Sequence, residues 1–264
     1  MEKHGRGEMP FLDHLEELRW RIFKAVGALV VGTGLGFYAF QRFDLFGVLI
    51  GPAETYLTNG KLQVLSPADP FFFIVKTAVL LGVILSFPVI VYQLWAFLSP
   101  ALEKRERNII IPSLYGGMFL FAFGVWGAYE FALPVSLQFL AGIESEYLQA
   151  AYTANDYLSF VVRLLLAFGL LFELPVVVLI LSAFGLVTPR FLRKKRRHAM
   201  VIITVMASFL SPGDLVMVTV VMMIPMVFLY EVSILLSVLV WRGKDKDNEI
   251  KPPGPADESV EMDR

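Results

Sequence analysis

Six long apolar segments, separated by short charged stretches, dominate the sequence and limit the folds that the chain can adopt. A helix needs about 20 apolar residues to cross a hydrocarbon core about 30 Å thick. The segments that we predict to span the membrane are 22–40, 70–97, 109–133, 157–184, 199–210 and 215–241. Charged residues make up 18% of the chain, whereas soluble domains carry about 25%. The sequence therefore predicts an all-α integral membrane protein with six transmembrane helices.

The fifth segment differs from the others in its length. Residues 199–210 number only 12, and a helix of that length covers about 18 Å. We therefore expect the turn that follows it to lie below the far membrane surface.

The distribution of lysine and arginine predicts the orientation of the chain. Nineteen of the 23 basic residues lie in the N-terminal segment up to Lys24, in the second loop, in the fourth loop or in the tail, and two lie in the opposite loops. The remaining two, Lys76 and Arg163, fall within spans. Because cytoplasmic loops are enriched in Lys and Arg, both termini are expected to be cytoplasmic.

The two ends of the chain are predicted to differ from the membrane domain at 10–242. Residues 1–9 are expected to be flexible, and residues 10–21 carry an apolar stripe that is typical of an amphipathic helix on the membrane surface. Residues 243–264 are rich in charge and proline and are expected to be disordered.

Small residues and prolines within the spans predict how the helices pack. Gly32 and Gly36 lie four residues apart, a spacing that lets another helix approach closely. Pro88, Pro175 and Pro225 each remove a backbone donor from a span and favour a kink. Kinked helices can enclose a curved wall.

The sequence lacks the motifs of the common catalytic and cofactor-binding sites. It has no cysteine, which excludes disulfides and thiolate metal sites, and it contains no H-E-x-x-H metal motif and no phosphate-binding loop. A net charge of −1 argues against a basic surface that binds nucleic acid. We therefore expect a protein that is not an enzyme, binds no cofactor and draws any energy from a partner or an ion gradient.

Two glutamates lie at mid-depth in predicted spans. Glu173 and Glu231 are each about 15 Å from the cytoplasmic end of their helix. Ionisable groups inside a membrane are costly, so each is a functional hypothesis by default. They either form an intramembrane polar site in a recess or pair separately with Lys76, Arg163 or a hydroxyl group, and the sequence leaves both alternatives open.

A second group of acids, Glu16, Glu17, Glu103 and Glu106, lies among basic residues at the cytoplasmic face. Such residues either balance local charge or bind a ligand. Arginine and carboxylate groups form charge-assisted pairs that are often bidentate. Two well-spaced carboxylates beside the membrane could therefore hold two guanidinium groups.

Several short strings, taken together and in order, resemble the TatC family, the polytopic subunit of the twin-arginine protein translocase. They are HLEELRWR at 14–21, SP at 66–67, PF at 70–71, YQLWAF at 92–97, PAL at 100–102, ER at 106–107, FG at 168–169, FELP at 172–175, SPGD at 211–214, IP at 224–225 and YE at 230–231. The resemblance implies a glove-like, concave wall of six helices. It also implies export of folded proteins that carry two adjacent arginines in a signal peptide, driven by the proton-motive force without nucleotide.

The resemblance assigns a role to residues at the cytoplasmic face. Glu17 and Glu106 are expected to recognise the arginine pair of the signal peptide. Arg19, Arg21 and Phe97 are expected to line or support that site. The residues alone do not favour Glu17 over Glu16.

The resemblance also implies partners within the membrane. Glu173 corresponds to a buried acid on the concave face, and the fifth and sixth spans correspond to a short pair where single-span TatA/TatB-type subunits dock. Pro212 and Asp214 mark the outer turn of that pair, although Val218 stands where many relatives carry Gln. We further expect homo-oligomers within a receptor complex in the bacterial cytoplasmic membrane.

A small-solute secondary transporter is the competing hypothesis, with Glu173 and Glu231 acting as a proton relay. Transporters of that kind contain inverted repeats with paired broken helices. The two halves of the sequence do not display such symmetry.

Overall fold

The computed structural model describes residues 9–57, 61–98, 104–142, 152–210 and 216–250. Ten α-helices lie in these ranges. They are α1 (Met9–Arg42), α2 (Leu45–Ile50), α3 (Asp69–Leu98), α4 (Lys104–Gly127), α5 (Leu133–Ala141), α6 (Ala154–Phe172), α7 (Leu174–Ala183), α8 (Pro189–Lys194), α9 (Arg196–Leu210) and α10 (Val216–Ile250). A 3₁₀ helix at Gly51–Tyr56 follows α2, and a π-helical turn at Ala128–Ala132 joins α4 to α5.

Five helical stretches of the described residues are long and apolar enough to cross a membrane. They are Asp13–Arg42, Asp69–Leu98, Ile111–Ala141, Ala154–Ala183 and Met222–Trp241. The remaining predicted segment, the fifth in chain order, corresponds to α9, which has 15 residues and is about 22 Å long. The structure thus has five apolar spans and a shorter sixth helix, as the sequence predicts.

α1 and α3 pack against each other through glycine. A Cβ atom at Gly32 would lie 2.7 Å from the carbonyl oxygen of Gly82, and one at Gly36 would lie 2.6 Å from the carbonyl oxygen of Ala78. Both distances are too short for a side chain, so the two backbones are in direct contact. This contact is the close helix approach that the spacing of Gly32 and Gly36 predicts.

The loop after α1 packs against the π-helical turn and the start of α6. The Tyr129 hydroxyl donates to the Val48 carbonyl oxygen at 2.6 Å, and the buried Tyr157 hydroxyl donates to the Leu49 carbonyl oxygen at 2.7 Å. These bonds satisfy polar groups of a short helix that lies beside apolar side chains. This loop is therefore fixed to the membrane domain.

Two interruptions divide the long spans, and a glycine follows the end of one of them. The π-helical turn precedes Pro134, which has no backbone N–H to donate to a helical hydrogen bond. Glu173 separates α6 from α7, and Pro175 follows it in the first turn of α7. Gly185, with φ of 73°, ends α7 in the left-handed conformation that glycine adopts most readily.

Several helix ends differ from the sequence-based boundaries. Residues 10–21, expected as a surface helix running into the first span, are the first turns of the continuous helix α1. The third span continues through α5 to Ala141, because the π-helical turn keeps the chain helical past Pro134. α10 is helical to Ile250 and so extends into the segment predicted to be disordered, while 1–8 and 251–264 lie outside the described residues.

The glycine contact between α1 and α3 predicts a position-specific effect of adding one methyl group. Gly32→Ala should lower the free energy of unfolding by about 1–3 kcal/mol, because the new methyl group meets backbone that must move away. Gly34→Ala, whose Cβ would meet nothing within 4 Å, should leave stability unchanged or raise it slightly. Thermal unfolding in detergent, followed by tryptophan fluorescence, compares the two variants. Equal unfolding temperatures would contradict the packing described.

Candidate functional site

The first turns of α1 hold a paired carboxylate. The Arg21 Nε donates to the Glu17 Oε1 at 2.9 Å, and the Arg21 Nη2 donates to the same oxygen. The two residues are four apart on α1, which is the spacing that places side chains together on one helix face. The His14 Nδ1 lies 3.6 Å from the other carboxylate oxygen of Glu17. Glu17 is thus held between two basic side chains of its own helix.

An aromatic contact joins this part of α1 to the end of α3. The rings of His14 and Phe97 stack with centroids 4.3 Å apart and planes at 12°. Because His14 lies one turn before Glu17, the stack places Phe97 close to the carboxylate. The structure therefore brings Glu17, Arg21 and Phe97 into one region, as the resemblance implies.

An apolar groove continues from this region between the two helices. It has a volume of about 150 Å³. Its lining residues come from one face of α1 and one face of α3: Leu18, Arg21, Ile22, Ala25, Ile90, Gln93, Leu94 and Phe97. A charged group bound at Glu17 would therefore have an apolar surface next to it.

Two other residues expected at this site have different positions. The Arg19 guanidinium lies 5.6 Å from the centroid of the Phe23 ring, and the spacing along α1 turns it away from Glu17. Arg19 therefore does not line the groove in this structure. Glu106 lies on the first turns of α4, but its side chain is outside the part of the structure that is described.

Glu173 occupies the break between α6 and α7. Its carboxylate packs against α4 at Gly117, where an added Cβ would lie 2.7 Å from Oε2. The other oxygen, Oε1, is buried, and within the described residues no donor reaches it. A buried polar atom without a hydrogen bond costs free energy, so this oxygen is a place where a donor from another molecule would be stabilised.

An apolar cavity of about 290 Å³ lies beside the same break. The π-helical turn and α6 form two of its walls through Phe131, Phe168 and Phe172, and α10 contributes Met222 and Pro225. Phe172 directly precedes Glu173 in the chain. The cavity therefore ends one residue before the acid, which is not itself among the lining residues.

Glu231 has its own basic partner. The Arg196 Nη2 donates to the Glu231 Oε2 at 2.7 Å, and both side chains are about half exposed. The sequence analysis predicted either a shared polar site or pairing with Lys76, Arg163 or a hydroxyl group, and it did not include Arg196. The start of α9 comes to lie beside α10 only through the tertiary fold, which the sequence pattern does not reveal. Glu173 and Glu231 thus have different neighbours, and the contacts described do not join them.

The two cations within the spans do not neutralise these glutamates in the described structure. The Lys76 Nζ donates to the Asn155 Oδ1 at 2.6 Å and to the Ser159 Oγ at 2.7 Å, which links α3 to α6. Arg163 is exposed on α6. Pro212 and Asp214, expected at the partner-docking turn, lie outside the described residues. The expected depth of that turn below the membrane surface therefore stays a prediction.

The chain is similar in sequence to known proteins over most of its length. A family model described as "Sec-independent protein translocase protein (TatC)" matches residues 13–225. The chain belongs to the TatC family. The TatC protein of Aquifex aeolicus (strain VF5) is 38% identical over 238 residues, which are 89% of this chain and 98% of that protein. The TatC protein of Escherichia coli (strain K12) is 36% identical over 241 residues, which are 91% of this chain and 92% of that one.

Solved structures of the family match the fold. A crystal structure of the twin-arginine translocase receptor TatC superposes on this chain with a TM-score of 0.74. The two are 37% identical in sequence, and the match covers 86% of this chain and 99% of that one. This match confirms the all-α fold of six membrane helices in a glove-like arrangement. It also confirms the family resemblance read from the short strings.

Sequence reasoning missed two contributors to these regions. His14 is part of the string at 14–21, yet only the structure gives it a partner on α3. Gly117 carries no signal of its own in the sequence, because its role is to leave space for the carboxylate of a distant residue. The contact between Glu17 and Arg21, in contrast, could have been found from their spacing of four.

Proposed function

We propose that the chain is the signal-peptide receptor and scaffold subunit of the twin-arginine translocase, which exports folded proteins using the proton-motive force. It lies in the bacterial cytoplasmic membrane with both termini in the cytoplasm, as the one-sided distribution of Lys and Arg favours. Its relatives are named as translocase proteins, which does not favour the alternative of a small-solute transporter. Folded cargo supplies the ligand, a signal peptide with two adjacent arginines.

The observation that carries this proposal is the guanidinium already bound at Glu17. Arg21 occupies the carboxylate through two donors, in the manner expected of an arginine from a signal peptide. An incoming arginine takes the place of Arg21, so the carboxylate remains paired before and after binding. Exchange of one guanidinium for another avoids leaving the charge unpaired.

The groove beside Glu17 supports the same assignment. Its lining from Leu18 and Ile22 on α1 and from Leu94 on α3 is apolar, and it begins where the carboxylate ends. An arginine held at Glu17 would place the next part of the peptide along this surface. Glu106 on α4 is the second acid in the proposal and holds the second arginine.

Removing the charge of Glu17 tests the receptor role. Glu17→Gln should weaken binding of a twin-arginine signal peptide by about tenfold or more, because a charge-assisted pair is replaced by a neutral one. Glu16→Gln, a change of the same kind at the neighbouring exposed position, should have little effect. Fluorescence anisotropy of a labelled peptide with the purified protein in detergent measures both affinities.

A peptide in which lysine replaces both arginines is the control for general charge attraction. Loss of selectivity between the two peptides in Glu17→Gln, but not in Glu16→Gln, would support the proposal. If Glu17→Gln and wild type bound the twin-arginine peptide equally well, the assignment of Glu17 would be wrong.

A second region serves the partner subunits. Single-span TatA/TatB-type subunits dock on the wall that includes Glu173, α9 and α10. The unsatisfied Glu173 Oε1 accepts a hydrogen bond from a polar group on the partner helix, and the apolar cavity beside it receives the partner's apolar side chains. Homo-oligomers of the chain form within the same receptor complex.

Two adjacent glycines of α4 test this role without changing the acid itself. Gly117→Ala places a methyl group 2.7 Å from the Glu173 Oε2, whereas an added Cβ at Gly116 meets nothing within 4 Å. Gly117→Ala should displace the carboxylate and reduce co-purification of a single-span partner, as Glu173→Gln should. Gly116→Ala should retain the partner, and all three variants should bind the signal peptide normally. Equal partner recovery from both glycine variants would contradict the proposed contact.

A further inference from the structure

α8 and the start of α9 contain a dense run of positive charge. Six of the eight residues at 190–197 are Lys or Arg, and the wider stretch 174–213 contains no Asp or Glu. All six basic side chains are exposed. Of these six residues, only Arg196 has an acidic partner within the described part of the chain, and that partner is Glu231. Residues 190–197 are called the basic segment below.

Hydrogen bonds to α10 hold this segment in place. The Trp241 Nε1 donates to the Val187 carbonyl oxygen at 3.0 Å, and the Tyr230 hydroxyl donates to the Leu192 carbonyl oxygen at 2.7 Å. Trp241 and Tyr230 are separated by 11 residues, or about 16 Å, along α10. The chain therefore runs beside α10 between these two levels, and the cations are not on a freely moving loop.

This position places positive charge next to the membrane. The stretch Met222–Trp241 of α10 is apolar enough to cross a bilayer, and the basic segment lies alongside it. Each exposed Lys or Arg beside an anionic membrane surface is attracted to it. The described part of the chain supplies an acidic partner only to Arg196, so the other five cations are available to an anionic group from another molecule.

Apolar side chains in the same stretch are also exposed. Leu186 is 72% exposed, Phe191 52% and Val201, one helical turn beyond Arg197, 65%. A small soluble anion would leave these side chains without a partner. A molecule with a phosphate group and hydrocarbon chains would satisfy both the cations and the apolar side chains.

We propose that the basic segment is a binding site for an anionic phospholipid. The phosphate group lies among Arg193, Lys194 and Lys195, and the acyl chains lie against Phe191 and Val201. Several Lys and Arg residues at the end of a membrane span form a site of this type for acidic headgroups. Lipid bound there neutralises charge beside α10 and thereby anchors the α8–α9 connection at the membrane surface.

Titration of the purified full-length chain with lipid, read by native mass spectrometry, tests the proposal. Wild type should bind cardiolipin and phosphatidylglycerol more tightly than phosphatidylcholine. A triple variant with Arg193→Gln, Lys194→Gln and Lys195→Gln should bind cardiolipin with an affinity about tenfold lower than that of wild type. The matched variant, Lys244→Gln with Lys246→Gln and Lys251→Gln, removes the same charge after the last span and should bind like wild type.

Three results would overturn the proposal. They are an unchanged cardiolipin affinity in the first triple variant, an equal loss in both triple variants, and displacement of cardiolipin by inorganic phosphate at constant ionic strength. The last result would indicate a site for free anions. If the first triple variant does not fold, Arg197→Gln, which removes an exposed cation with no partner among the described residues, gives the same comparison with a smaller expected loss.

Discussion

The direct backbone contact between α1 and α3 is the constraint on which the site around Glu17 depends. Gly32 and Gly36 leave no side chain between the helices, and the two helices remain neighbours as far as the start of α1 and the end of α3. There His14 stacks on Phe97, and Glu17 comes to lie beside the apolar groove. A contact in the middle of two spans thus helps to determine where the Glu17 carboxylate lies relative to α3.

Glycine and proline also determine the local structure elsewhere in the membrane domain, through the side chain or the backbone N–H that they lack. Gly117 has no side chain, which gives the Glu173 carboxylate its place against α4, and Pro175 has no backbone donor, which favours the helix break at that residue. Gly185 adopts a positive φ and lets the chain turn back toward α10. In a membrane, unpaired polar groups are costly, so the buried Glu173 Oε1, which no donor among the described residues reaches, is a position where a donor from another molecule would be stabilised.

The spans and the glycine contact could be predicted from sequence, because both depend on local apolar length and on a spacing of four residues. The partner of Glu231 could not, since Arg196 reaches it only after the intervening chain folds back along α10. The residues alone also left Glu16 and Glu17 as equals. The structure separates them, because Arg21 and the stacked His14 both contact Glu17.

Recognition of paired arginines at the inner ends of α1 and α3 is the central claim, and site-specific photocrosslinking tests it most directly. A photoreactive amino acid replaces Leu94, which lines the groove, or Leu65, which is exposed in the outer loop. A twin-arginine signal peptide should label the position of Leu94, and substitution of its two arginines by glutamine should remove the label. Labelling at the position of Leu65 without labelling at that of Leu94 would contradict the account.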